Sequence, residues 1–164
     1  MQLRIRQKVF SWTDSFEVYD ASGAPRYEVR AEFFSLGHRL HVYEKSTGRE
    51  VGMIRERLFS LLPTFEIEKD GYVCGTIRKK FTFFAQNYEV DYRGWQVEGD
   101  FMGWDYRVLQ NGTAVMTISK ELFRWSDTYV LNIHNPADEV AGLLLVLAIV
   151  LNILNGSRYL NPFI

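Results

Sequence analysis

The feature that most limits how this chain can fold is an apolar run near its C-terminus, Val140–Leu154. Apart from Asn152, no residue in the run is polar. A helix built from such a segment is apolar on every side, so it has to be surrounded on every side. The run therefore predicts either a membrane span or a helix enclosed by the rest of the protein.

The flanks of the run predict where the helix begins and ends. Asn135 fits an N-cap, Pro136 the first helical position, and Asp138 places a carboxylate at the positive end of the helix dipole. Asn155-Gly156 predicts the end of the helix. We therefore expect a helix at about residues 136–154.

Length and flanking charge favour enclosure over a membrane span. Fifteen residues in a helix cover about 22 Å, short of the ~30 Å hydrocarbon core of a bilayer. No cluster of lysine or arginine brackets the run, as it would a membrane anchor. We expect a central helix inside a closed β-barrel, and a chain that is not transmembrane.

The chain before the helix is typical of short antiparallel strands. Alternating apolar and polar residues surround four turns, two of which contain the strong hairpin dipeptides Asp-Gly and Asn-Gly. The turns are Asp20–Gly23, Ser46–Gly48, Asp70–Gly71 and Asn111–Gly112. Each hairpin is followed by charged residues and then an apolar or aromatic pair such as Leu58-Phe59, which indicates one sheet wound as a meander. An aromatic content of 15% also favours strands and a dense core.

Little in the sequence indicates catalysis. The lone cysteine, Cys74, lies in an apolar strand run and is expected to be a buried, unreactive thiol. His38 and His41 are three residues apart on a strand, so they point to opposite faces and do not share a metal, while His134 is expected to help end the last strand. No nucleophile, zinc or phosphate-loop motif occurs. We expect no enzymatic activity, no metal and no cofactor.

Targeting and charge suggest a compartment. The first ten residues carry a charge at almost every second position and form no signal-peptide core. With a single cysteine, the chain fits the reducing cytoplasm. Lys+Arg 19 against Asp+Glu 20 gives a net charge of −1, which counts against nucleic acid as a partner.

Clustered cations are the candidate binding residues. Some alternate with apolar residues in the first strand, and others precede aromatic runs. The set is Arg4, Arg6, Lys8, Arg55, Arg57, Arg78, Lys79 and Lys80. Cations beside aromatic rings can grip a phosphorylated headgroup at a lipid surface. The alternative is a solvated outer barrel face with phenylalanines inside, which the interleaved glutamates favour.

Several short motifs, in order and spacing, resemble the LURP-one-related family, including its bacterial YxjI-like members. The resemblance runs from about Leu3 to Leu154 and includes the apolar C-terminal helix. The matching segments are Arg6–Phe16, Ser35–Leu40, Val97–Phe101 and Asp127–Ile133.

The resemblance implies a single tubby-like domain over residues 1–164, a closed antiparallel barrel of about twelve strands around the central hydrophobic helix. It implies no enzymatic activity. Structural relatives of the family include the phosphoinositide-binding tubby domain and the phospholipid scramblases. Asn152 and Asn155 stand where an acidic residue is expected near the helix end, which counts against an ion-linked or scramblase-like role.

We therefore expect a non-enzymatic binding or scaffold module that binds anionic phospholipid headgroups, in a cytoplasmic protein that becomes peripheral to the membrane through this contact. An alternative is a protein–protein adaptor with no small-molecule ligand, using exposed aromatics as anchors. Its candidate anchors are Trp12, Trp95, Trp104 and Trp125. The sequence leaves the ligand identity, the pathway and the oligomeric state open.

Overall fold

The computed structural model describes residues 1–6, 15–34, 37–81, 86–100, 105–121 and 128–159. They form one twelve-stranded antiparallel sheet, a 3-10 turn at Pro136–Asp138 and the helix α1, Glu139–Tyr159. The strands are β1 Gln2–Arg6, β2 Phe16–Asp20, β3 Pro25–Phe34, β4 Gly37–Glu44, β5 Glu50–Glu56, β6 Thr64–Lys69, β7 Tyr72–Phe81, β8 Gln86–Asp91, β9 Trp95–Asp100, β10 Asp105–Gln110, β11 Thr113–Glu121 and β12 Thr128–Ile133.

The predicted meander is confirmed. The strand order is β8-β7-β6-β5-β4-β3-β2-β1-β12-β11-β10-β9, so the sheet curls until β8 and β9 are its two edges. Between the described residues of β8 and β9 there is no hydrogen-bonded ladder, and the barrel is nearly closed rather than closed. At the hairpin that joins these edges, Tyr92 and Trp95 pack edge to face with 4.8 Å between ring centroids.

Alternation along each strand separates an inner from an outer face. In β1, Leu3 and Ile5 are completely buried, whereas Arg4 and Arg6 point outward. This period of two places the apolar residues against the helix and the charged residues in water.

Helix α1 fills the barrel, as the apolar run predicts. Its residues Leu143–Val150 are at most 1% exposed and belong to the same core as the inner faces of the strands. The helix passes so close to β5 that a Cβ at Gly52 would lie 2.7 Å from Leu144 Cδ1, a distance only glycine permits. None of the helices in the described part of the chain has the length and apolar character needed to cross a membrane.

The predicted start of the helix is confirmed and its predicted end is wrong. The Asn135 side chain accepts a hydrogen bond from Ala137 N at 3.0 Å and caps the turn that leads into α1. The helix continues past Asn155-Gly156 to Tyr159. Each of these two residues costs a helix interior only about 1 kcal/mol or less, and the next true helix breaker is Pro162.

The two ends of the barrel differ. At the hairpin end, tight turns join the strands, and Asn111 and Gly112 both have positive φ, as a type I′ turn requires. The start of α1 also lies at this end. At the opposite end, the loop end, β5 finishes and β6 begins, joined by residues 57–63.

Two half-exposed arginines pair with nearly buried carboxylates at the helix start, at the hairpin end. Arg26 makes a bidentate pair with Glu139, whose side chain is only 7% exposed, and Arg93 Nη1 donates to Asp138 Oδ1 at 3.1 Å. The hydrogen bonds to Glu139 raise the pKa of the Arg26 guanidinium. Arg26 lies on β3 and Arg93 in the turn between β8 and β9, so the barrel holds the helix by its first turn.

Candidate functional site

The structure divides the eight predicted cations among different surfaces. Arg55, Arg57, Arg78 and Lys80 lie on the outer face of the neighbouring strands β5 to β7, toward the loop end. We call these four residues the loop-end cation patch. Arg4 and Arg6 lie on β1, four strands from β5 in the sheet, and Lys8 lies outside the described residues.

Lys79 does not join its sequence neighbours. Its side chain shares the inner face of β7 with Ile77 and is only 9% exposed, whereas Arg78 and Lys80 are exposed. Burial lowers the pKa of the Lys79 ammonium. The alternation of a strand thus splits the run Arg78-Lys79-Lys80 into two outer cations and one inner one.

Glu66 occupies the β5 side of the patch. Arg55 Nη2 donates to Glu66 Oε2 at 2.6 Å, and Arg57 Nη2 donates to Glu66 Oε1 at 3.0 Å. The hydrogen bond from Arg55 is the largest of the effects that lower the pKa of the Glu66 carboxyl. Two cations around one carboxylate leave a local excess of positive charge.

The β7 side of the patch is less neutralised. Lys80 Nζ lies 3.4 Å from Glu89 Oε2, and both side chains are half exposed, so water screens this pair strongly. No carboxylate among the described residues forms an ion pair with Arg78. Arg57 and Arg78 flank Thr64 on either side of β6, which separates their backbones by about two strand spacings, or ~10 Å.

The β5–β6 loop, residues 58–63, projects beside the patch. Phe59 and Leu61 are 102% and 103% exposed, as open to solvent as a side chain can be. The base of the loop is fixed: Arg57 N donates to Thr64 O at 2.8 Å, and the Thr64 hydroxyl donates to Leu62 O at 2.9 Å. Two fully exposed large apolar side chains in one short loop are a feature that can mark an interaction site.

The first residue of this loop packs back onto the barrel. A Cβ at Gly37, whose φ is +112°, would lie 3.2 Å from Leu58 Cδ2. Glu56 lies just before the loop. Its Oε2 atom forms a hydrogen bond with His38 Nδ1 at 2.5 Å, and this bond lowers the pKa of the Glu56 carboxyl. The loop is therefore anchored on the β4 side as well.

The β1 cations have local partners. Arg4 Nε donates to Gln2 Oε1 at 3.1 Å, and the Arg6 guanidinium lies over the Tyr19 ring, 4.8 Å from its centroid. The interpretation of a solvated outer face fits these two residues.

Other predicted features lie away from the patch. Cys74 is exposed, so its predicted burial is wrong: it occupies an outward-facing position of β7, and desolvation by its neighbours nevertheless raises the pKa of its thiol. Trp95 is 3% exposed and is no surface anchor, while Trp12, Trp104 and Trp125 lie outside the described residues.

The histidines all bond within the protein. His41 Nε2 forms a hydrogen bond with Glu32 at 2.8 Å on the outer face, whereas His38 lies on the inner face. His134, just past the end of β12, has its Nδ1 atom 2.7 Å from Ala114 O. No group of three potential metal ligands occurs among the residues that the structure describes. A pocket of about 170 Å³ at the hairpin end is lined by the carboxylates Glu50, Glu68 and Asp70, and its charge does not suit an anion.

Sequence reasoning missed the exposure of Phe59 and Leu61. The repeat groups Leu58-Phe59 with the other apolar or aromatic pairs that follow charged residues, and only the alternative of a solvated outer face places phenylalanines inside the barrel. A signal was available in Pro63, because proline five residues after an apolar pair is typical of a loop rather than of a central strand.

Comparisons with known proteins agree with the fold. The sequence model of the LURP-one-related family matches residues 1–152. The uncharacterized protein YxjI of Bacillus subtilis (strain 168) is 31% identical over 138 residues, which is 84% of this chain and 85% of that protein. The X-ray structure of a protein from Arabidopsis thaliana superposes with a TM-score of 0.60 at 15% identity, over 94% of this chain and 91% of the other, and shares the tubby-like architecture. The chain belongs to the LURP-one-related family.

Proposed function

We propose that this protein is a non-enzymatic binding module that docks on membrane surfaces rich in anionic phospholipids through the loop-end cation patch. The observation that carries the proposal is local. Four cations, on or directly after the strands β5 and β7 that flank β6, face the same solvent region, against the two carboxylates of Glu66 and Glu89. The chain as a whole carries a net charge of −1, so this asymmetry distinguishes one surface from the rest.

Electrostatics give the patch enough strength for reversible attachment. A lysine or arginine near an anionic leaflet contributes about 1 kcal/mol, and this contribution falls off within a Debye length of ~10 Å at 0.1 M salt. Arg55 and Arg57 are partly committed to Glu66, so Arg78 and Lys80 should contribute most. Binding of this kind is expected at low salt and should weaken as salt is added.

Two observations support a module without catalytic activity: the motifs of the sequence and the hydrogen bonds of the histidines. The sequence carries no nucleophile, zinc or phosphate-loop motif. The described histidines are occupied with glutamates or a backbone carbonyl.

The test is co-sedimentation with vesicles of phosphatidylcholine alone and of phosphatidylcholine with phosphatidylserine. Wild type should bind the anionic vesicles at low salt, and the double variant Arg78→Gln/Lys80→Gln should lose about 30-fold in affinity, from ~1 kcal/mol per cation. A matched control is Arg30→Gln/Arg107→Gln, which removes two exposed, ion-paired arginines from other strands. Absence of wild-type binding at low salt, or equal losses in the two double variants, would contradict the proposal.

A further inference from the structure

We propose that the β5–β6 loop inserts Phe59 and Leu61 into the boundary between headgroups and acyl chains of the same anionic membrane. This inference rests on the proposed function and adds the element that penetrates the bilayer. It also fixes the orientation: the loop end of the barrel faces the lipid, and the hairpin end faces away.

The two apolar side chains of the loop are exposed, and their neighbours are held in place. Phe59 and Leu61 are fully exposed, while the residues around them are held by contacts to the barrel. Leu58 packs toward Gly37, Ser60 Oγ donates to Arg57 O at 3.2 Å, and Thr64 Oγ1 donates to Leu62 O. Because these contacts hold the residues around the tip, its backbone has less conformational entropy to lose on meeting a partner than that of a loop without them.

Phe59 also has a strained backbone conformation. Its φ is +59°, in the left-handed region that bulky residues rarely adopt. The ring is fully exposed, so no contact with the core compensates for the steric strain of this conformation. Strained backbone positions of this kind cluster at binding sites, which favours a binding role for Phe59.

Positively charged side chains lie near the tip of the loop. Arg57 stands at the base of the loop, and Arg78 and Lys80 lie two strands away on the same outer face. An apolar tip beside the loop-end cation patch matches the membrane interface, where anionic headgroups lie above apolar chains. Each part of this surface then meets a complementary layer of the bilayer.

Area favours a bilayer over a protein partner or a second copy of this chain. Two side chains of this size present roughly 350 Å², whereas a stable protein interface buries about 800 Å² on each partner. A bilayer needs no such area, because each inserted side chain gains independently from leaving water.

The experiment compares Phe59→Ser/Leu61→Ser with the control Tyr72→Ser/Val73→Ser, which removes the exposed apolar pair at the hairpin end. Binding is measured by co-sedimentation with phosphatidylcholine–phosphatidylserine vesicles at 0.1 M and 0.5 M salt, after circular dichroism shows that each variant is folded. The loop variant should lose about 100-fold in affinity, equivalent to roughly 2.7 kcal/mol, and the control should equal wild type. In the variant Phe59→Ala the loss should be intermediate.

The outcomes separate the two proposals. If wild type binds anionic vesicles and the loop variant binds equally well, the insertion is overturned and the proposed function stands. If wild type does not bind these vesicles at all, both fall. A wild-type dimer in sedimentation that becomes a monomer in Phe59→Ser/Leu61→Ser would also overturn the insertion, because a second copy would then cover the tip.

Discussion

The two ends of the barrel differ in what their charged and apolar side chains contact. At the hairpin end, polar turns close the strands and two arginines bind nearly buried carboxylates at the start of the helix. At the loop end, an apolar tip stands in water, a phenylalanine occupies the left-handed region and cations lie close together. The contacts that hold the helix start therefore lie at one end, and the candidate binding surface lies at the other.

The chain direction explains part of this division. The helix enters the barrel from the hairpin end, so the ion pairs that orient it have to lie there. The β5–β6 loop does not orient the helix. Its base is closed by its own hydrogen bonds, and its tip contributes nothing to the core.

The largest expected effect is at the helix start. Arg26→Met leaves the Glu139 carboxylate, 7% exposed, without its bidentate partner. Breaking a buried pair in this way costs 3–5 kcal/mol, and because Arg26 itself is 40% exposed we expect about 2 kcal/mol from urea unfolding. Arg30→Met, which removes a solvent-exposed pair with Glu28, should change the midpoint of urea unfolding far less than Arg26→Met does. Equal losses in the two variants would remove the basis for placing stability at the hairpin end.

An intermediate effect is expected where the backbone has positive φ. Gly112→Ala places a side chain at φ +76° in the β10–β11 turn and should destabilise the protein by about 1 kcal/mol. Phe59→Gly at φ +59° should leave the stability unchanged within about 0.5 kcal/mol, because relief of strain offsets the greater entropy of the unfolded chain. Thermal unfolding measures both. A clear destabilisation by Phe59→Gly would mean that the ring supports the fold.

The smallest effect concerns acid. The pKa of Glu66 is lowered in the folded protein, so the unfolded state binds more protons once the pH falls below the unfolded value of about 4.3. The stability from this group is present above that pH and is lost as the pH falls through the folded pKa. Glu66→Gln should flatten the acid side of the stability profile by no more than about 0.5 kcal/mol, since both arginines are largely exposed. A steeper acid dependence in the variant would contradict this sign.

The sequence was sufficient for features set by local chemistry. Val140–Leu154 predicted an enclosed helix, and Asp70-Gly71 and Asn111-Gly112 predicted hairpins, because periodicity and turn residues act within a few positions. The separation of Lys79 from Arg78 and Lys80 also follows from strand alternation, which places neighbouring residues of a strand on opposite faces.

Other features depend on contacts between distant segments. Arg57 and Arg78 become neighbours only because β5, β6 and β7 are adjacent, and Glu66 reaches Arg55 across a strand pair. The exposure of Phe59 depends on how the loop leaves the barrel. The outward position of Cys74 was missed because the apolar run around it suggested burial. The open seam between β8 and β9 depends on the curvature of the whole sheet.

The most direct measurement places the same environment-sensitive fluorophore at each end of the barrel. One sample carries it on the native Cys74, near the hairpin end, and the other on Phe59→Cys in a Cys74→Ser background. Both are mixed with anionic vesicles that contain a lipid-borne quencher. The account predicts quenching and a blue shift at position 59 and neither at position 74. Quenching at position 74 with none at position 59 would show that the opposite end meets the membrane.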